Sequence, residues 1–426
     1  MTLTIASGAV RGEVTILPSK SHLHRLLICA ALADKESLLQ SEKTKAEDIL
    51  ATLRCLRALG ARVEETEEGI LVTPIDRENL PKSCLLDCGE SGSTLRFLLP
   101  IVAALGIEGQ FHMAGRLPDR PLSPLDKELE AHGCILHRPQ REILTSSGKL
   151  TSGAFILPGN VSSQYITGLL LALPLLAGDS SLTITGEIES VDYIRMTQEA
   201  QKVFGLNLPE NLTEIKIPGG MPYKSPDAIP VEGDWSNAAF WLCAGALPEG
   251  NVTCKGLDKD SLQGDKAVVS LLESMGAAVS VAEAAVTVSQ GARRAITIDA
   301  APIPDLICAI SAVAAVAQGE TVICQAGRLR LKESDRLTAI ETTINALGGE
   351  ASQQGDQLLI IGKKQLKGGT VDSFGDHRIA MLAAILSATC KEPVTVENAE
   401  AVGKSYPDFW EKLAQLGKTI HKEDVP

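Results

Sequence analysis

Six short polar segments of this sequence combine hydroxyl, glycine, acidic and cationic residues, and each runs directly into an apolar stretch. The first is Ser19-Lys20-Ser21, which is followed by Arg25. The other five lie at 89–96, 160–164, 232–236, 304–305 and 375–378. A helix that begins at such a segment exposes unpaired N–H groups and the positive end of its dipole, which together bind phosphate or carboxylate. The segments therefore predict the binding of anionic groups.

Cationic side chains are frequent at these helix starts and at the starts of a second set of helices. They are Lys20, Arg25, Arg96, Arg120, Lys332, Arg336, Arg378 and Lys404. Capping alone would explain the Ser, Thr and Asp residues. Positive charge at a helix N-terminus is unfavourable unless an anion is present. If rough symmetry brings these loops together, they form a basic cleft for substrates that carry phosphates and carboxylates.

Six apolar helices are predicted behind these segments, and their ends are 70 to 72 residues apart. They are expected at 24–33, 93–105, 164–177, 237–247, 305–318 and 377–389. Because they are apolar nearly all round, we expect them to be buried on every side. A β-rich run follows each of them.

Amphipathic helices lie between the apolar ones, and each ends on a glycine that can adopt the left-handed cap conformation. The glycines are Gly60, Gly133, Gly205, Gly276, Gly348 and Gly417. The chain thus reads as six copies of an α/β unit, with a period of about 71 residues that is longer than in common solenoids. Three copies per half would make two similar lobes, with helices inside, sheets outside and a crossover near 219–234.

Composition excludes several classes of protein. The net charge is −13 and 44% of residues are hydrophobic, which disfavours disorder and general binding of nucleic acid or membrane surfaces. The longest apolar runs are too short to span a bilayer, and residues 1–5 indicate a strand rather than a targeting segment. Ten cysteines are scattered through apolar stretches, which favours a reducing cytoplasm. Cys84 and Cys88 lack a second pair of ligands, so we expect no metal site.

The ordered set of motifs is similar to that of the enolpyruvyl transferases, and among them it resembles the 3-phosphoshikimate 1-carboxyvinyltransferase family. The resemblance runs from Lys20 to Phe409 and rests on the segments 19–25, 89–96, 119–121, 162–164, 329–337, 376–381 and 404–409. Each motif alone is weak, but the whole set in this order is specific.

The resemblance implies an α/β fold with two lobes that close on substrate. We expect a two-lobed inside-out α/β barrel of six βαβαββ-type repeats, three per lobe, with buried helices and outer sheets. One lobe is expected at 20–232, on the shikimate 3-phosphate side. The other is expected at 1–19 plus 233–426 and would carry the catalytic carboxylates and the C-terminal cations.

The resemblance also implies a reaction. The family transfers the carboxyvinyl group of phosphoenolpyruvate to the 5-hydroxyl of shikimate 3-phosphate and releases phosphate, on the pathway to chorismate and the aromatic amino acids. It requires no metal and no organic cofactor. The chemistry needs a proton added to C3 of the enol, a proton removed from the hydroxyl, and phosphate expelled from a tetrahedral intermediate.

Site residues carry over by motif match. Asp305 resembles the base, Glu333 the donor to C3, and Lys20 a residue that contacts both substrates and assists proton transfer. Phosphoenolpyruvate is expected to bind Lys20, Gly92, Arg120, Gln164, Arg336, Arg378 and Lys404. Shikimate 3-phosphate is expected to bind Lys20, Ser21, Arg25, Ser162, Ser163, Gln164, Ser190, Asp305 and Lys332, with Tyr193 beside its ring.

Some residues allow a purely structural interpretation. Asp305 could be only a helix N-cap, and Arg96 could hold its loop rather than bind a ligand. His377 fits a packed histidine beside a functional Arg378. Glu90 and Arg328 depart from the commoner family pattern and leave substrate affinity and sensitivity to glyphosate open.

Two alternatives stay open at this point. The sister enzyme that acts on UDP-N-acetylglucosamine carries Lys-Asn at the first motif and usually a reactive cysteine near the Asp-Arg-Pro segment. This chain has Lys20-Ser21 and no cysteine in 115–125. A non-catalytic anion-binding scaffold would not need Asp305 and Glu333 together with the cations. We expect a bacterial, cytoplasmic monomer that binds no nucleic acid and no membrane.

Overall fold

Two compact units make up the chain in the structure, a computed structural model that describes residues 1–43 and 45–423. Residues 18–231 form one, here called the middle unit. Residues 1–17 and the chain from residue 232 onward form the other, here called the terminal unit. Each unit has its own hydrophobic core. Within the described ranges, no helix is long and apolar enough to cross a membrane.

The structure has helices both at the apolar segments and at the amphipathic segments that the sequence analysis describes. The α-helices are α1 (Lys20–Ala31), α2 (Glu47–Ala58), α3 (Gly92–Leu105), α4 (Leu125–Ala131), α5 (Ser163–Ala172), α6 (Val191–Val203), α7 (Trp235–Ala246), α8 (Val268–Ser274), α9 (Ile307–Ala314), α10 (Arg336–Ala346), α11 (His377–Leu386) and α12 (Phe409–Gln415). Short 3-10 helices lie at Leu117–Asp119, Leu173–Leu175, Gly264–Ala267, Gly327–Leu331, Ser387–Thr389 and Ala399–Lys404.

The strands are short and lie between the helices. They are β1 (Thr2–Ile5), β2 (Arg11–Thr15), β3 (Ser37–Gln40), β4 (Arg62–Glu65), β5 (Ile70–Thr73), β6 (Ser83–Gly89), β7 (Glu108–Met113), β8 (Cys134–Gln140), β9 (Ile143–Gly148), β10 (Ala154–Pro158), β11 (Ser180–Thr185), β12 (Glu214–Ile217), β13 (Ala228–Pro230), β14 (Asn251–Lys255), β15 (Ala278–Val281), β16 (Ala285–Ser289), β17 (Thr297–Asp299), β18 (Glu320–Cys324), β19 (Ala351–Gln354), β20 (Gln357–Ile361), β21 (Gly369–Asp372), β22 (Val394–Glu397) and β23 (Ile420–Glu423).

One pairing pattern recurs in six sheets. A first strand pairs in parallel with a second, and the second pairs antiparallel with a third. The middle unit holds β6-β7-β9-β8, β10-β11-β12 and β13-β3-β5-β4, and the terminal unit holds β21-β22-β1-β23, β15-β16-β14-β2 and β17-β18-β20-β19. None of these sheets closes into a barrel within the described residues. The fold is a mixed α/β fold with a repeated βαβ unit.

The predicted apolar helices lie in the cores. Every residue of α7, α9 and α11 is buried, and these three helices pack against one another in the terminal unit. In the middle unit, α3 packs on α5 and α1 packs on α2 and α6. All six predicted helix-ending glycines have a positive φ, as a left-handed cap requires.

Five of the six apolar helices start one to four residues away from the predicted position. The differences at α1 and α9 change the interpretation of Lys20 and Asp305. Helix α1 begins at Lys20 rather than at residue 24, because the Ser19 hydroxyl caps it by accepting from the His22 N–H at 3.3 Å. Helix α9 begins at Ile307, and its N-cap is Leu306, without a side-chain cap. The N-cap interpretation of Asp305 is therefore wrong, because Asp305 precedes the capping position.

Candidate active site

Lys20 lies in the first turn of α1, where it meets an acidic residue of α2. Its Nζ is 2.8 Å from Oδ2 of Asp48, and the two side chains are 17% and 7% exposed. Burial of this degree makes an ion pair depend on good geometry, since both ions lose most of their hydration. The structure thus adds Asp48 to the candidate residues. The only signal for it in the sequence is an acid in the first turn of an amphipathic helix.

Arg25 is buried one turn further along α1, with 2% of its surface exposed. Its Nε donates to Thr197 Oγ1 at 2.9 Å, Nη1 to the Ser21 carbonyl at 2.7 Å, and Nη2 to the Tyr193 carbonyl at 2.9 Å. Burial lowers the pKa of Arg25 to about 10, so it remains a cation at neutral pH. Arg25 joins Ser21 and Tyr193 in one cluster of the middle unit.

Gly92 begins α3 at a point where two guanidinium groups converge. A Cβ on Gly92 would lie 2.9 Å from Nη1 of Arg120 and 3.1 Å from Nη1 of Arg96. The absence of a side chain therefore leaves room for the two arginines. Ser91 caps the same helix by accepting from the Thr94 N–H at 3.2 Å. The start of α3 thus presents concentrated positive charge, which suits an anion.

Gln164 connects this group to α5. Arg96 Nη1 donates to Gln164 Oε1 at 2.6 Å, and Gln164 Nε2 donates to Ser93 Oγ at 3.0 Å. Arg96 Nη2 also donates to the Pro121 carbonyl at 2.9 Å. These contacts support the interpretation of Arg96 as the arginine that holds its neighbouring loops.

Three of the four candidate serines of the middle unit lie at the starts of α5 and α6 and differ in their surroundings. Ser162 caps α5 by accepting from the Gln164 N–H at 3.3 Å, and Ser163 is buried in the first turn. Ser190 precedes α6, is buried, and has a φ of 53°. A non-glycine residue in this left-handed region stores strain, which is common at ligand sites.

Asp305 is the centre of the cluster in the terminal unit. Its Oδ1 lies 2.8 Å from Nη1 of Arg336 and 3.2 Å from Nζ of Lys332. Arg378 donates through Nη1 to the Asp305 carbonyl at 2.7 Å, and its Nη2 lies 3.6 Å from Oδ2. The structure thus brings together four residues that the sequence distributes over more than 70 positions.

Arg336 begins α10 and is 1% exposed. Besides Asp305, it contacts Glu333 through Nη2 at 2.8 Å and Asp376 Oδ2 through Nε at 2.8 Å. Ser334 also donates to Asp376 Oδ2, at 2.9 Å. One guanidinium therefore orients three carboxylates, two of which are the candidate base and acid.

These contacts shift the ionisation of the cluster. Burial by itself raises the pKa of Asp305, but Lys332, Arg378 and Arg336 outweigh it and hold the pKa well below its ordinary value. Burial lowers the pKa of Lys332, and Asp305 partly offsets this. Asp305 is therefore ionised at neutral pH, and it becomes a stronger base only if the neighbouring cations are drawn away.

The terminal unit holds three further residues that the sequence singled out, Lys404, Arg328 and His377. Lys404 ends a 3-10 helix, and the carbonyl of the next residue, Ser405, accepts from Asn237 Nδ2 at 3.4 Å. Burial lowers the pKa of Lys332, and the positive charge of the nearby Arg328 lowers it further. His377 is buried beside Asp376, as expected of a packed histidine.

Glu90, the other departure from the family pattern, is exposed, and its carboxylate packs against Gly115. A Cβ on Gly115 would lie 2.4 Å from the carboxylate carbon. Within residues 1–43 and 45–423, no group of three or more His, Cys, Asp or Glu side chains is placed to hold a metal ion. The arrangement of ionised carboxylates beside buried cations suits proton transfer and charge stabilisation on anionic substrates.

Comparison with known sequences identifies similar proteins over the whole chain. The profile of the family described as EPSP synthase (3-phosphoshikimate 1-carboxyvinyltransferase) matches residues 5–413. A 3-phosphoshikimate 1-carboxyvinyltransferase of Clostridium kluyveri is 42% identical over 426 residues, which cover 99% of each chain. The protein of the same name from Clostridium acetobutylicum is 41% identical and covers 97% of this chain and 96% of its own.

Solved structures share the fold. A structure of EPSP synthase from Acinetobacter baumannii superposes with a TM-score of 0.80 at 24% identity and covers 99% of this chain and 100% of its own. A second structure from the same organism has a TM-score of 0.82 at 23% identity, with complete coverage of both chains. At this level of identity the likeness concerns the fold alone.

Proposed function

The chain belongs to the EPSP synthase (3-phosphoshikimate 1-carboxyvinyltransferase) family, and we propose that it transfers the carboxyvinyl group of phosphoenolpyruvate to the 5-hydroxyl of shikimate 3-phosphate, with release of phosphate. The observation that carries this is the terminal-unit cluster in which Arg336 holds Asp305, Glu333 and Asp376. It supplies two carboxylates of suitable type next to cations, as addition and elimination on an enol phosphate require.

Asp305 is the base in this proposal and accepts the proton of the attacking hydroxyl. Its low pKa makes it ionised but weakly basic while Arg336 and Lys332 remain paired with it. Substrate phosphate and carboxylate groups compete for the same cations. Because loss of a nearby cation raises the pKa of a carboxylate, substrate binding itself strengthens the base.

Glu333 is the proposed donor to C3 of the enol, a role for which its carboxyl group must first take up a proton. Its carboxylate is 12% exposed and is held by Arg336 at 2.8 Å. Lys20 contacts both substrates and assists proton transfer, and Asp48 keeps its ammonium oriented. Cations then stabilise the charge of the tetrahedral intermediate.

The substrate contacts are assigned by motif. For phosphoenolpyruvate they are Lys20, Gly92, Arg120, Gln164, Arg336, Arg378 and Lys404. For shikimate 3-phosphate they are Lys20, Ser21, Arg25, Ser162, Ser163, Gln164, Ser190, Asp305 and Lys332. Support comes from two groups of these residues that lie together: Gly92, Arg120 and Gln164 around Arg96 in the middle unit, and Asp305, Lys332, Arg336 and Arg378 in the terminal unit.

We also propose a more specific architecture for the fold. We assign a two-lobed inside-out α/β barrel of six βαβαββ-type repeats, with lobes at 20–232 and at 1–19 plus 233–426. The recurring strand order of the six sheets and the buried helices support it. We further propose a cytoplasmic monomer that works without a cofactor, and the ten free thiols are consistent with a reducing compartment.

The test is phosphate release from phosphoenolpyruvate, with and without shikimate 3-phosphate. We expect release only when both are present, and a fall of about 10²- to 10⁴-fold in kcat for Asp305→Asn, because a positioned general base contributes this much. The matched control is Asp299→Asn, which changes an exposed carboxylate that accepts from the Ala301 N–H. Phosphate release only with UDP-N-acetylglucosamine would contradict the proposal. The absence of release with either acceptor would also contradict it.

A further inference from the structure

The loop that carries Arg120 is fixed by side chains to which no role is assigned. Arg141 donates to both carboxylate oxygens of Asp119, through Nε at 3.0 Å and Nη2 at 2.5 Å. Arg138 Nη1 donates to the Pro118 carbonyl at 2.8 Å. These contacts anchor the chain just before Arg120. The backbone on the other side of Arg120 needs its own anchor if the side chain is to be fixed in place.

The anchor after Arg120 is the carbonyl oxygen of Pro121. It accepts two hydrogen bonds, from the Tyr165 hydroxyl at 2.5 Å and from Arg96 Nη2 at 2.9 Å. Proline has a fixed φ and no N–H group, so its carbonyl is the polar group through which this part of the backbone can be held. Two donors on one carbonyl fix the residue next to Arg120.

Tyr165 is buried, and its hydroxyl is the part of the side chain that makes this contact. It is 1% exposed, in the first turn of α5, and the Arg96 guanidinium lies 5.5 Å from its ring centroid. A buried hydroxyl is unfavourable without a partner, and phenylalanine would fill the same space. Burial raises the pKa of Tyr165, so the hydroxyl keeps its proton and donates throughout the neutral range.

We propose that Tyr165 is a positioning residue for Arg120: with Arg96 it fixes the Pro121 carbonyl, and thereby the backbone from which Arg120 reaches the start of α3 at Gly92. The inference rests on the proposed function, in which Arg120 binds phosphoenolpyruvate. Arg120 Nη1 lies 2.9 Å from the position of a Gly92 Cβ. Loosening the anchor would shift this guanidinium without removing any charge.

The test is Tyr165→Phe, which removes only the hydroxyl. Loss of one hydrogen bond corresponds to about a threefold to tenfold change in an equilibrium constant, so we expect the KM for phosphoenolpyruvate to rise by about that factor. The KM for shikimate 3-phosphate and kcat should change by less than about twofold, because the other contacts persist.

Tyr223→Phe is the matched control. Tyr223 is equally buried in the middle unit, and its hydroxyl donates to the Leu171 carbonyl at 2.8 Å. It should lower thermal stability as much as Tyr165→Phe does and leave both KM values unchanged. In an Arg120→Lys background, Tyr165→Phe should lose most of its effect on the KM, because both changes act on one side chain.

Amide hydrogen exchange of residues 116–122 gives a readout independent of turnover. It should increase in Tyr165→Phe and stay unchanged in Tyr223→Phe. An unchanged KM for phosphoenolpyruvate, or unchanged exchange in this segment, would overturn the positioning role. Wild-type protein that releases no phosphate would contradict the proposed function instead, and the exchange measurement would still decide whether Tyr165 holds the loop.

Discussion

Arg336 and Asp305 are joined by a 2.8 Å contact between Nη1 and Oδ1, although they are 31 residues apart. The same guanidinium contacts Glu333 and Asp376. The candidate base and the candidate acid are therefore fixed with respect to each other by one side chain. A residue assigned to substrate binding thus also sets the geometry of proton transfer, which makes its substitution informative.

Arg336→Lys should reduce both activity and stability. Lysine is a single point charge and cannot reproduce three separate donor contacts. The carboxylates of Asp305, Glu333 and Asp376 would be left partly uncompensated in a buried setting, which costs about 3 to 5 kcal/mol when a buried pair is broken. We expect kcat/KM to fall by more than about 100-fold and the melting temperature to fall, as measured by steady-state kinetics and thermal denaturation.

Arg330→Lys is the control for that substitution. Arg330 Nη1 lies 3.2 Å from Asp335 Oδ2, and both side chains are about one third exposed (34% and 38%). Pairs of this kind contribute about 0 to 1 kcal/mol. Equal losses in the two variants would show that Arg336 does not organise the carboxylates.

Lys332→Ala should shift the pH dependence of the reaction. The pKa of Asp305 lies well below its ordinary value, and Lys332 is the largest of the charges that lower it against burial. Removing this cation raises the pKa of the carboxylate, so the acidic limb of the kcat/KM profile, which reports the free enzyme, should move to higher pH. Lys259→Ala, which removes an exposed lysine paired with Asp260, should leave the profile in place. An acidic limb at the same pH in both variants would argue against Asp305 as the base.

Gly92→Ala should weaken binding of phosphoenolpyruvate and leave the fold intact. The new Cβ would lie 2.9 Å from Arg120 Nη1 and 3.1 Å from Arg96 Nη1. Both are the ends of flexible side chains, which can move away at little cost in stability. We expect about a tenfold rise in the KM for phosphoenolpyruvate, which corresponds to about 1.4 kcal/mol. The KM for shikimate 3-phosphate is the internal control, and an equal rise in both would point to a general distortion of α3.

Local rules predicted the repeat and the capping residues because both depend on nearby sequence. Asp335 caps α10 by accepting from the Thr338 N–H at 3.3 Å, and six glycines end helices with a positive φ. The burial of α7, α9 and α11 follows from their apolar surfaces. These features need no knowledge of which elements become neighbours.

Partnerships between distant side chains could not be read from spacing. Asp376 caps α11 by accepting from the Arg378 N–H at 2.9 Å, and it also binds Arg336, 40 residues away. The alternative interpretation of Asp305 as a helix cap is wrong, because Asp305 lies before the capping position of α9, and cations of other elements contact its carboxylate. Likewise, nothing in the local pattern assigns Asp48 to Lys20. Such contacts depend on tertiary packing.

Asp265 shows a further consequence of packing that the sequence pattern did not indicate. It is 1% exposed, its Oδ2 accepts from Ser236 Oγ at 2.5 Å, and its Oδ1 has no hydrogen-bond partner among the residues that the structure describes. Burial raises its pKa from 3.8 to about 6, Arg378 opposes the shift, and Asp305 adds to it. The ionised form of Asp265 is therefore disfavoured in the folded state.

Asp265→Asn should make the protein more stable above pH 6 and equally stable near pH 4. Below the unfolded-state pKa of 3.8 the carboxyl is protonated in both states and contributes nothing to the pH dependence. As pH rises from there to about 6, the unfolded chain releases the proton first, so the wild type loses stability, on the order of 2 to 3 kcal/mol in total. The amide cannot ionise and keeps an acceptor for Ser236. The free energy of unfolding in urea between pH 4 and 8 measures this. Asp260→Asn, at a 78% exposed side chain, should run parallel to the wild type, and an Asp265→Asn curve that also runs parallel would rule out the raised pKa.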